Sequence, residues 1–137
     1  MKTVIAYDEA CRGIHIQENE KILLESKSLC YCYMFARDVI GANIKAHGKV
    51  ILESKNIYYC YFFSCNIQVA NIKPFEELIL ESKECWYCYW FARDVKKSNK
   101  EKLFKVVLES GNQELINIFL KDVEFDKEKF LNYLLFI

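Results

Sequence analysis

Apolar residues in this chain recur at helical spacing, and the recurrence itself repeats. Leu29, Cys32, Phe35, Ala36 and Val39 fall at intervals of three and four, the stripe of a helix with one buried face. The same slots hold Ile57, Cys60, Phe63, Ser64 and Ile67, then Cys85, Cys88, Phe91, Ala92 and Val95, then Gln113, Ile116, Phe119, Leu120 and Val123. Leu-Glu-Ser begins at Leu24, Leu52, Leu80 and Leu108, which fixes the period at 28 residues without an insertion. A period between about 20 and 50 residues marks a solenoid, whose units bury their faces only by stacking on neighbours. The pattern therefore predicts an all-α protein: an α-solenoid of about four stacked two-helix repeats with half-repeats at both ends.

Each repeat opens with an amphipathic helix, about 16–25 in the first. Its inward set is Ile16, Ile22 and Leu23; the equivalents are Ile44, Val50 and Ile51, then Ile72, Leu78 and Ile79, then Lys100, Val106 and Val107. Asn43, Asn71 and Asn99 stand before these helices as N-cap candidates, Ser98 to Glu101 has capping-box spacing, and Pro74 suits a first turn. The helices end near Ser26, Ser54, Ser82 and Ser110, with Gly111 as a left-handed stop. Ser28, Asn56 and Asn112 can then cap the second, aromatic helix, a pattern from which Glu84 departs.

The repeats so read lie near 15–42, 43–70, 71–98 and 99–125, within one domain. Residues 1–14 read as an N-terminal cap: shifted by 28, Val4, Tyr7 and Cys11 fall on Cys32, Phe35 and Val39, and Gly13 on Gly41, while 1–5 also reads as a short strand. Residues 126–137 read as a C-terminal helix capped by Asp126 and running from Lys127 to Ile137. Phe130, Leu131, Tyr133, Leu134, Leu135, Phe136 and Ile137 make it apolar nearly all round. A solenoid end is ordinarily polar outside. This helix either folds over the last groove or meets a partner, and Phe130, Tyr133, Leu134 and Ile137 are the candidate contacts to a second copy.

Composition narrows the function. Apolar residues at 53% exclude disorder, and no apolar run approaches the roughly 20 residues of a membrane span. Acidic Asp8 and Glu9 follow the N-terminus too closely for a signal peptide, so a cytoplasmic protein is expected. Nineteen basic residues balance nineteen acidic ones, which argues against general affinity for a phosphate backbone. Seven cysteines are an odd number; Cys32, Cys60 and Cys88 fill one apolar column and Cys85 the slot of Leu29 and Ile57, so they read as reduced core residues. Adjacent helices about 8–10 Å apart hold such columns beyond disulfide reach.

Candidate chemistry is sparse. Cys85 and Cys88 sit one helical turn apart, but a zinc site needs four ligands and the histidines, His15 and His47, lie about a repeat or more away. His47 with Cys65 forms a nucleophile pair only in composition, without a third orienting residue. No catalytic residues, metal or cofactor are expected, and the protein is not expected to be an enzyme. The stronger feature is a second stripe: Tyr33, Tyr61 and Tyr89 share a column, with Arg37 and Arg93 one turn on and Cys65 interrupting. Tyr and Arg dominate interface hot spots, so these five residues are the expected partner-binding set, partly exposed. The neighbouring column, Met34, Phe62, Trp90 and Ile118, reads as contact between repeats. Glu25, Glu53, Glu81 and Glu109 read as solvated or paired with nearby cations; as a row they also offer a basic partner a negative stripe.

The block aromatic-x-Tyr-x-Phe-Ala-x-Asp-Val, Gly-Ala-Asn-Ile, Leu-Glu-Ser appears here as Tyr31-Cys32-Tyr33-Met34-Phe35-Ala36-Arg37-Asp38-Val39, Gly41-Ala42-Asn43-Ile44 and Leu52-Glu53-Ser54. Over residues 15–125 it resembles tandem 28-residue two-helix repeats of uncharacterised proteins from AT-rich bacteria and their phages, and is similar in general form to HEAT-like repeats. The resemblance carries no catalytic residue. It implies a protein-binding module, in its concrete form a phage- or mobile-element-encoded inhibitor of a bacterial defence or regulatory protein. The competing expectation is a binder of single-stranded nucleic acid that stacks bases on the Tyr/Arg ladder.

Overall fold

The computed structural model describes residues 1–135, and every regular element among them is helical. Helices α1 (Lys2–Cys11), α2 (Ile16–Ser26), α3 (Leu29–Asp38), α4 (Ile44–Ser54) and α5 (Ile57–Asn66) precede α6 (Lys73–Ser82), α7 (Cys85–Asp94), α8 (Lys100–Ser110) and α9 (Gln113–Asp122). A 3-10 turn (Lys127–Phe130) and a one-turn helix α10 (Leu131–Leu134) end the described chain. The chain divides into two compact units, Met1–Asn71 and Ile72–Ile137.

The Leu-Glu-Ser motif is a device for turning the chain. Ser26, Ser54, Ser82 and Ser110 each donate Oγ–H to the carbonyl three residues back, on Leu23, Ile51, Ile79 and Val107, at 2.5–2.6 Å. Each hydroxyl then accepts from the backbone N–H two residues ahead, on Ser28, Asn56, Glu84 and Asn112. One side chain thus satisfies groups on both sides of the turn that neither helix can serve. Between them the backbone turns left-handed, at Gly111 as the sequence indicates, but also at Lys27, Lys55 and Lys83 with φ of 54°, 57° and 59°. Ser28, Asn56 and Asn112 cap the following helices by accepting from Tyr31, Tyr59 and Leu115 N–H, while Glu84 makes no side-chain cap.

Asn43 and Asn99 cap α4 and α8 as expected. Two expectations fail at this level. The cap position of α6 is Ile72 rather than Asn71, because the helix starts one residue later, and Pro74 sits in its first turn. Ser98 does not cap α8; its hydroxyl turns back to the Val95 carbonyl at 2.6 Å.

In the first unit α1 packs on α2 and α3, α3 on α2, α4 and α5, and α4 on α2 and α5. The column Cys32, Cys60 and the column Phe35, Phe63 are wholly buried, as are Leu23 and Ile51. The N-terminal segment is a helix throughout, not a strand, and its buried face is Ala6 and Ala10, packed with Leu23, Phe35 and Val39. Val4 and Cys11 are exposed, so the 28-residue shift does not extend into this segment. Alanines let α1 lie close on its neighbours, which the larger Val4 and Cys11 would prevent.

The second unit repeats the scheme: α7 contacts α6, α8 and α9, α8 contacts α6 and α9, and Cys88, Phe91, Ile79, Val107 and Phe119 form the dry centre. The C-terminus departs from expectation. Between Asp126 and Leu135 the chain makes a 3-10 turn and one helical turn rather than one continuous helix, and the rest of the expected helix, 136–137, lies outside the described residues. Phe130 is buried, 4.9–5.3 Å separating the rings of Phe104 from Phe125, Phe119 from Phe125 and Phe104 from Phe130. It closes the open end of the unit, so it is not available to a second copy. Tyr133 is exposed, Leu134 is half-buried, and Ile137 lies outside the described residues.

Truncating a dry ring should therefore be costly. Phe91→Ala is expected to remove about 3–5 kcal/mol, read from chemical denaturation followed by circular dichroism.

Candidate functional site

The expected Tyr/Arg set is largely occupied by bonds within the protein. In the first unit Tyr7 of α1 donates its hydroxyl to Oδ2 of Asp38, the last residue of α3. The two oxygens of Asp38 also accept from Arg37, Nε at 2.6 Å and Nη2 at 2.8 Å. The guanidinium lies over the Tyr33 ring, 5.3 Å from its centroid, and the Tyr33 hydroxyl accepts from Asn66 Nδ2 of α5 at 3.0 Å. A polar chain thus runs across α1, α3 and α5. The hydrogen bonds from Arg37 hold the Asp38 carboxyl below its usual range, and burial followed by the Asp38 bond pushes the Tyr7 phenol up.

The second unit has the same construction. Tyr89 donates to Asp122 Oδ2, the last residue of α9, at 2.5 Å; Arg93 pairs with both oxygens of Asp94 and lies 5.3 Å from the Tyr89 centroid. Here the sequence expectation of a partly exposed Tyr89 is wrong. It is 4% exposed, its ring against Phe119 and its hydroxyl on the end of the next aromatic helix. Burial first, and Asp122 second, push its phenol up. Tyr33 and Tyr61 are half-buried, and Arg37 and Arg93 keep exposed edges.

The bond between each tyrosine hydroxyl and its partner spans 33 residues: Tyr33 accepts from Asn66 and Tyr89 donates to Asp122. Aligning columns 28 apart conceals it, because it joins different columns of neighbouring repeats.

What remains open is the column one turn before Phe62 and Trp90. Tyr58 on α5 is 49% exposed and lies 4.6 Å from the half-buried Phe62 ring; Trp86 on α7 is 39% exposed and 6.1 Å from half-buried Trp90. Sequence reading placed Phe62 and Trp90 between repeats and passed over Tyr58 and Trp86. Their i, i+4 spacing was the available signal, since side chains so placed share a face. In the equivalent α3 slots stand Cys30 and Met34, with sulfurs 3.5 Å apart.

Burial pushes the Cys32 thiol up to about 11 and those of Cys60 and Cys88 up to about 12, which makes them poor nucleophiles and ligands at neutral pH. Cys85 is half-buried, and among the described residues no three His, Cys, Asp or Glu side chains converge as a metal site. Glu53 pairs with Lys49 and Glu109 with Lys105, each one turn apart on the surface, as expected of that row.

Carboxylates of the first helices serve differently. Glu20 accepts the Asn43 N–H at 2.7 Å and Glu76 the Asn99 N–H at 2.7 Å, each gripping the start of the next such helix. His47 is fully buried, its Nε2 2.9 Å from Glu20 and its ring stacked 5.1 Å from Phe35.

Compared with known proteins, the chain matches no family model, no curated protein and no solved structure.

Because Tyr89 bonds a carboxylate from a buried position, Tyr89→Phe should cost about 1–2 kcal/mol of stability. Tyr33→Phe, which loses a neutral and exposed partner, should cost less than half as much; thermal melts of the two variants compare them directly.

Proposed function

We propose that the chain is a protein-binding helical-repeat module, an α-solenoid of about four stacked two-helix repeats, working in the cytoplasm. The reading is supported by the contact pattern within each unit, where aromatic helices α1, α3 and α5 follow one another and α7 is followed by α9. One observation carries the binding assignment: each unit exposes a large aromatic pair on a scaffold whose neighbouring polar groups are already satisfied. Tyr58 with Phe62, and Trp86 with Trp90, offer rigid apolar area at low entropic cost, with Arg37 and Arg93 at the margins. Tyr33 and Tyr61 are flanking contacts rather than anchors, and Tyr89 supports the face from beneath.

In its concrete form the module is an inhibitor from a phage or mobile element that occupies a bacterial defence or regulatory protein; this rests on the repeat resemblance. Among the described residues no helix is long and apolar enough to cross a membrane.

Tyr58→Ala with Trp86→Ala should abolish retention of the partner captured from a lysate of the native host, with the melting temperature within a few degrees of the parent. Retention that survives both changes, while Arg37→Ala with Arg93→Ala removes it, would return the site to the Tyr/Arg column. Tight oligonucleotide binding that falls steeply between low and moderate salt would replace the protein partner with single-stranded nucleic acid.

A further inference from the structure

The two units place different residues behind one shared bond, and the difference is titratable. We propose that Glu20 and His47 form an acid-sensitive latch between α2 and α4, so that acidification opens the first unit ahead of the second. Glu20 Oε2 accepts from the backbone N–H of Asn43, the residue that caps α4, at 2.7 Å, and lies 2.9 Å from His47 Nε2. A carboxylate oxygen only accepts, so the neutral ring carries its proton on Nε2. Nδ1 is then a bare lone pair, buried without a partner, while the ring is stacked on Phe35 of α3. Among the described residues Glu20 is the charged group that acts on this ring.

A second proton would have to sit on Nδ1, where no acceptor waits. Burial, the larger influence, accordingly lowers the affinity of His47 for that proton, and Glu20 only partly restores it. The unfolded or opened ring meets water and titrates near pH 6.5. Below that pH the open state binds a proton that the closed state refuses, so stability present above about pH 6.5 is lost as the pH falls toward the lower folded value. The opened segment includes the start of α4, because the same carboxylate holds both His47 and the cap residue.

The second unit supplies the control. Its Glu76 accepts from Asn99 at 2.7 Å in the equivalent geometry, but the slot 56 residues after His47 holds buried Leu103. The cation acting beside Glu76 is Lys100, whose pKa burial lowers and Glu76 partly restores.

Amide hydrogen exchange on the full chain between pH 7.5 and 5.0 tests the latch. Protection factors in α4 should fall relative to those in α8, by up to about tenfold per pH unit below about pH 6.5. Parallel loss in both helices would overturn the proposal. So would a His47 ring that titrates at or above pH 6.5 by NMR. His47→Leu, which copies the second unit, should remove the difference between α4 and α8, whereas His15→Gln, at an exposed histidine of the same unit, should leave it in place. The reverse result for this pair also overturns it. If the leucine variant does not fold, the two measurements on the parent chain decide.

Discussion

The architecture depends on keeping the phenylalanine rings of α3, α5, α7 and α9 completely dry. Phe35, Phe63, Phe91 and Phe119 are fully buried, each on a helix that contacts both the other helix of its hairpin and a neighbouring helix. A single hairpin could not enclose such a ring, and burying a side chain of this size contributes roughly 1.5–3 kcal/mol against an ordering cost of similar total size. The small residues that follow, Ala36, Ser64 and Ala92, keep the backbones close enough for enclosure.

Polar chemistry then joins what the rings have brought together. Two kinds of link recur. A carboxylate on a first helix holds the cap of the next first helix, and a tyrosine on an aromatic helix reaches the end of the next aromatic helix. The carboxylate links end on helix-cap N–H groups and the Tyr89 link on a charge, where hydrogen bonds are worth most; the Tyr33 link ends on a neutral amide. Stacking order is thereby specified by geometry that apolar contact alone leaves loose.

The all-helical architecture and the positions of the hairpins were legible in the sequence because period 28 and period 3.6 reinforce each other over four copies. Ser28, Asn56 and Asn112 were readable as caps for the same reason. The ends were not. At the N-terminus the shift of 28 fails, and Ala6 and Ala10 carry too little hydrophobicity to announce a buried face. At the C-terminus a run of apolar residues promised a long helix, yet Phe130 turns inward against the rings of Phe104 and Phe125. The buried column Asn19, His47, Phe75, Leu103 escaped because two of its members are polar, and polar residues break an apolar stripe. The tyrosine and arginine column was legible as a column, but its hydrogen bonds cross to other columns and occupy it, and the exposed rings lie one turn away. A higher-order repeat was also hidden, since Tyr31-Cys32-Tyr33 and Phe35-Ala36-Arg37-Asp38-Val39 return as Tyr87-Cys88-Tyr89 and Phe91-Ala92-Arg93-Asp94-Val95 at 56 residues rather than 28.

The serine clasp has a consequence for how such a chain diversifies. It draws on one hydroxyl and main-chain groups alone, so nothing in the bend consults the outward side chains of the helix that follows. Cysteine and methionine on α3, tyrosine and phenylalanine on α5, and two tryptophans on α7 all hang from the same hinge. Outer surface and scaffold are thus written in separate alphabets, and the outward side chains can change without rewriting the bends that hold them.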